Sequence, residues 1–193
     1  IYLTKVSSNY KKATGETSGN FQNNQNADIL LSGIDFNNSG GSLLFNHPGN
    51  VASDGKKLFL ADRNNNRILI WNSLPTTNKE PDLVLGQKEF ISNNPGTALD
   101  QMNWPVCVAS DGTRLYVCDT YNDRILIWNS IPTSSGQAAD FALSTAKQGK
   151  DQRGSIIWPW SAWSNGQKLV VTSTQSNQVL IWNQVPTANK KAD

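Results

Sequence analysis

The sequence predicts an all-β protein built from repeated four-stranded sheets. Three observations carry that prediction. A long segment recurs three times. Short, continuously apolar runs end in Trp in every copy. Asp-Gly or Asn-Gly pairs separate neighbouring runs. Pro48, Pro105 and Pro159 step by 57 and 54 residues, and Trp71, Trp128 and Trp182 step by the same intervals. Asp28, Asp82, Asp140 and Asp193 form a second anchor, stepping by 54, 58 and 53. Several anchors repeating in one order are the signature of a repeat architecture.

Each repeat divides into four strands. Strand one is expected near 49–53, 106–110 and 160–164. Asp54-Gly55, Asp111-Gly112 and Asn165-Gly166 come next, pairs that accept positive φ and close β-hairpins. Strand two is expected near 57–62, 114–119 and 168–173. Strand three, near 67–72, 124–129 and 178–183, carries Ile-Leu-Ile-Trp twice and Val-Leu-Ile-Trp once. An unbroken apolar strand predicts burial on both faces. Strand four is expected near 28–32, 82–86 and 140–144. The repeats therefore cover 27–81, 82–139 and 140–193. Residues 1–26 read as the end of a preceding unit, with Ile1-Tyr-Leu-Thr as a third strand and an Asn/Gly-rich insertion after it. Four strands per repeat, each sheet sandwiched between neighbours, predict a β-propeller arc of about three blades plus part of another.

Composition narrows the function. Charged residues make up 17% of the 193, and the formal net charge is +2. That is too weak for nucleic-acid binding by bulk charge. No apolar run approaches the roughly 18 residues of a membrane-spanning helix. Two cysteines and one histidine cannot build a zinc site of about four ligands. No cofactor or metal is expected. Abundant Asn, Ser, Thr and Gly, sparse Lys and Glu, and seven Trp lean toward an extracellular, cell-surface or periplasmic protein.

The runs VASDGKKLFLADRNNNRILIWN, VASDGTRLYVCDTYNDRILIWN and PDLVLGQKEF resemble the NHL-repeat propellers of bacterial secreted and surface proteins. The resemblance covers 27–193 and is weaker in the third repeat. It implies a ring of usually six blades. The chain is accordingly expected to be a segment of a longer polypeptide, with two copies closing one ring as the competing reading.

Asp62 with Arg67, and Asp119 with Arg124, flank a loop in the first two repeats. Both charges vanish together in the third, where Ser173 and Gln178 stand. Joint loss predicts a structural ion pair, because an unpaired buried charge is costly. Cys107 and Cys118 are expected opposite each other on adjacent strands, either as a disulfide or as buried thiols. His47 aligns with Trp104 and Trp158 and reads as a packing position. Trp160 and Trp163 break the period and read either as core or as an exposed aromatic platform. The tips that vary within the fixed frame, Arg63, Asn64, Tyr121 and Asp123, with the links 33–46, 87–103 and 145–157, are the expected contact surface. The function expected is a non-catalytic scaffold or binding module that meets a protein or a glycan. The alternative is a metal-dependent hydrolase or lyase working in a central channel.

Overall fold

The computed structural model describes residues 27–31, 41–145 and 153–193. The expected strand at 1–4, and the link residues 33–40 and 146–152, lie outside the described residues. The fold is all-β, in three antiparallel sheets. The first contains β1 (Pro48–Ser53), β2 (Leu58–Asp62), β3 (Arg67–Trp71) and β4 (Leu83–Leu85), in that order. The second contains β5 (Pro105–Ser110), β6 (Leu115–Asp119), β7 (Arg124–Trp128) and β8 (Phe141–Leu143). The third contains β9 (Pro159–Ser164), β10 (Leu169–Ser173) and β11 (Gln178–Trp182). No helix among the described residues is long and apolar enough to cross a membrane.

The hairpins close by local chemistry. Gly55, Gly112 and Gly166 take φ of 88°, 87° and 86°, values that an L side chain rarely adopts. Asp54 Oδ1 accepts from the N–H groups of Lys56 and Lys57 at 2.9 and 2.6 Å. Asp111 and Asn165 repeat these bonds. The same register results in each hairpin, with Ser53 opposite Leu58, Ser110 opposite Leu115 and Ser164 opposite Leu169.

Each sheet has a front and a back. Leu60, Leu69 and Trp71 lie on the front of the first sheet, while Phe59, Ala61, Ile68 and Ile70 lie on its back. That back packs onto the front of the second sheet, at Val108, Leu115, Val117 and Trp128. The back of the second sheet, at Cys107, Tyr116, Cys118 and Ile125, packs onto the front of the third, at Ala162, Leu169, Val171 and Trp182. First strands lie side by side at these interfaces, β1 against β5 and β5 against β9. The approach is close: a Cβ on Gly49 would lie 2.6 Å from the Val106 carbonyl oxygen. Trp71, Trp128 and Trp182 are wholly buried, and their indole N–H groups donate to Lys79, Gln137 and Lys190 carbonyls. Burying roughly 150–250 Å² of indole at about 25 cal/mol per Å² stabilises each site by about 4–6 kcal/mol before entropy is counted.

Two expectations need correction. Residues 28–31 form no strand, because no described strand lies beside them to pair with. Burial on both faces holds for β3 and β7 but not for β11, where Val179 is 62% exposed. No described sheet covers the back of the third, so β11 is buried on its front alone.

Candidate functional site

The loops at one end of the sheets share a repeated architecture. After strand two, a 3-10 turn forms at Arg63–Asn65, Thr120–Asn122 and Thr174–Ser176. Each turn lies against the chain entering strand one. Asn64 N–H donates to the Asn46 carbonyl at 3.0 Å, Tyr121 to Asn103 at 3.1 Å and Thr174 to Trp158 at 3.2 Å.

A buried polar group locks each junction. Asp62 accepts from Asn46 N–H through Oδ1 at 2.7 Å, and from Arg67 Nε and Asn65 Nδ2 through Oδ2 at 2.7 and 2.9 Å. Arg67 carries its remaining donors to the Gly41, Leu44 and Phe90 carbonyls. Asp119 repeats this with Asn103, Asn122 and Arg124, and Arg124 reaches the Thr97, Ala98 and Gln101 carbonyls. Burial pushes the Asp119 carboxyl above its usual range, against the hydrogen bonds it accepts. In the third repeat Ser173 Oγ takes the same place, accepting from Ile157 N–H at 2.8 Å. Gln178 Oε1 accepts from Gly154 N–H. The charges are thus exchanged as a set for neutral hydrogen-bonding groups.

His47, Trp104 and Trp158 each precede the repeated proline in a left-handed conformation, with φ of 51°, 58° and 49°. Such a backbone costs on the order of 1–3 kcal/mol and persists only where its surroundings fix it. For both tryptophans a side chain of the preceding repeat does so. Asn66 Oδ1 accepts from Trp104 N–H, and Asp123 Oδ1 accepts from Trp158 N–H, both at 2.8 Å. Asn66 and Asp123 are themselves left-handed, as caps of the 3-10 turns.

The result is a row of rings along the loop end. Arg63 lies 4.6 Å over the Trp104 ring. Trp104 meets Trp158 edge to face at 5.9 Å, and Tyr121 leans on Trp158 at 6.3 Å. Trp104 Nε1 donates to Asn64 Oδ1 at 2.7 Å, and Asn64 Nδ2 meets His47 Nδ1 at 3.0 Å. Tyr121 and His47 are exposed, while both Trp side chains are half-buried. The structure therefore brings Arg63, Asn64 and Tyr121 together. It assigns Asp123 to holding the Trp158 backbone. His47, Trp104 and Trp158, expected as packing positions, belong to the row instead, because the left-handed backbone turns them toward the loop end. Their repetition at one place before proline was the signal for this.

Trp160 and Trp163 lie elsewhere, on the open back of the third sheet, 44% and 54% exposed. Cys107 and Cys118 are register partners on adjacent strands, and the structure holds both as free, buried thiols. The hydrogen bond from Cys118 holds the Cys107 thiol down to about 7, against burial and with help from Ala162 N–H, while burial pushes Cys118 well up. Among the described residues no three His, Cys, Asp or Glu gather as a metal site requires.

No family model and no curated protein matches the chain.

Proposed function

We propose that the three sheets are consecutive blades of an NHL-type β-propeller, and that the molecule is a non-catalytic binding module of a secreted or surface protein. The observation that carries the binding reading is the row of Arg63, Trp104, Trp158 and Tyr121 along the loop end. Trp, Tyr and Arg dominate the energetics of recognition surfaces. Here they stand on turns and strand entries braced by hydrogen bonds, with the Trp backbones pinned, so little ordering remains to oppose binding. Asn64 and His47 at one end of the row supply hydrogen bonds beside the ring faces. Ring faces flanked by a carboxamide and an imidazole suit the apolar faces and hydroxyls of a glycan, or the flat residues of a protein loop. The channel-hydrolase alternative has no carboxylate cluster among the described residues to argue from.

The test is a titration of the chain with a panel of oligosaccharides and proline-rich peptides, read by Trp fluorescence and calorimetry. A ligand is expected to perturb the Trp signal. Arg63→Ala and Tyr121→Ala are each expected to weaken binding about 5- to 30-fold, at unchanged melting temperature. Ligand binding at full strength by both variants would refute the placement.

A further inference from the structure

We propose that Cys107 and Cys118 form a reversible redox site, in which a small peroxide oxidises Cys107 and Cys118 then closes a disulfide across the hairpin.

The fold places the two sulfurs together. β5 and β6 pair Cys107 directly with Cys118. Opposite residues of an antiparallel pair hold their Cβ atoms about 4.5–5.5 Å apart, and a disulfide needs about 3.5–4.5 Å. An approach of about 1 Å therefore joins them. The Cys118 thiol already donates a hydrogen bond to the Cys107 sulfur. The 193 residues hold no other cysteine, so a disulfide within the chain is this one.

The frame does not need sulfur at this place. The same paired position carries Asn50 and Ala61 in the first sheet, and Ser161 and Thr172 in the third. In the third, Ser161 N–H donates to Thr172 Oγ1 at 3.0 Å. All three hairpins keep one register with or without thiols. The thiols of the second sheet add reactivity and not shape.

The surroundings make the two sulfurs unequal. Cys107 receives hydrogen bonds from the Cys118 thiol, the Ala162 N–H and the Ser161 hydroxyl, which together hold its thiol down to about 7. Ala162 and Ser161 belong to β9, so the third sheet helps to stabilise the anion of the second. Cys118 is wholly buried, and burial pushes its thiol well up, whereas Cys107 keeps 4% of its surface. The thiolate is the nucleophile, so Cys107 attacks and Cys118 resolves. Leu143, Ile156 and Val171 enclose the pair in apolar packing, which keeps out bulky disulfide reagents and leaves a small peroxide as the oxidant.

The chemistry closes in two steps. The Cys107 sulfur attacks one peroxide oxygen. An S–O bond forms, the O–O bond breaks, and the departing hydroxide takes the proton given up by the Cys107 thiol and leaves as water. The Cys118 sulfur then attacks the sulfenic sulfur of Cys107. An S–S bond forms, the S–O bond breaks, and hydroxide leaves with the Cys118 proton as a second water. Each sulfur has lost one electron, and both peroxide oxygens are reduced to water. A dithiol reductant reverses the bond by exchange.

The experiment uses the 193-residue chain, reduced and folded, with hydrogen peroxide as the probe. Arg114 lies between the two cysteines, so trypsin separates them unless they are joined. Peroxide is expected to yield one joined pair of peptides from within a single chain, and dithiothreitol to restore both thiols. Cys118→Thr removes the resolving sulfur and is expected to hold a sulfenic acid at Cys107, captured by dimedone. Cys107→Ser is expected to lose its remaining thiol at least about 10-fold more slowly than Cys118→Thr. Cys107→Ser/Cys118→Thr copies the pair of the third sheet and is expected to melt with the reduced wild type, which shows that these changes leave the fold intact. Thiols that survive in the folded wild type at a peroxide dose that joins them in urea overturn the proposal. So does faster oxidation of Cys118 in Cys107→Ser than of Cys107 in Cys118→Thr, or a disulfide that forms only between chains.

Discussion

Asp62 and Arg67 are both wholly inaccessible to solvent, joined at 2.7 Å, and tied to three loop carbonyls. Removing one partner leaves the other charge buried and uncompensated. Asp62→Ala is expected to cost about 3–5 kcal/mol in denaturant unfolding. Asp62→Ser with Arg67→Gln installs the solution found in the third repeat and is expected to cost less than the single change. A double variant less stable than Asp62→Ala would show that the carbonyl contacts, and not charge compensation, dominate. This pairing was legible in the sequence because the third repeat lost both charges at once. An exposed carboxylate behaves differently. Asp82 accepts from Asn72 N–H at 2.7 Å, and that bond, assisted by Lys79, holds its carboxyl below the ordinary 3.8. With the folded value depressed, its stabilisation is present above the unfolded value and is lost as pH falls through the folded one. The melting-temperature gap between wild type and Asp82→Asn is therefore expected at neutral pH and closes in acid below about 3.8. A gap that persists in strong acid would contradict this.

At the scale of elements, the hairpins and the three long strands of each repeat were legible to within a residue or two. Asp-Gly and Asn-Gly specify a backbone that few other pairs accept, and an Ile-Leu-Ile-Trp run fits a short buried strand and little else. Fourth strands were placed correctly in two sheets but drawn longer than they are, three residues each at Leu83–Leu85 and Phe141–Leu143. What the pattern hid has a physical reason in each case. Val179 has the sequence environment of Ile68 and Ile125, yet burial depends on a neighbouring sheet, which hydropathy along one strand does not encode. Trp104 and Trp158 repeat with the period of core residues. Their side chains leave the core because of a φ sign set by Asn66 and Asp123 in the preceding repeat. Cys107 and Cys118 could be placed opposite each other from the hairpin alone. Whether they join depends on the redox conditions around the chain, which the hairpin pattern does not encode.

Among the described residues, the main contacts between sheets run from each sheet to the next in sequence. In such quasi-one-dimensional arrays stability is the sum of each unit and its borders with its neighbours. Among the described residues the second sheet has two borders and the outer sheets one each. A solitary chain should therefore fray from its ends inward, and local opening is what amide hydrogen exchange measures. Amides of β6 and β7 are expected to exchange slowest and those of β10 and β11 markedly faster. Uniform protection across all three sheets would mean that they open as one cooperative block. The same gradient would make the outer sheets the first targets of a protease, leaving a resistant fragment centred on residues 105–143.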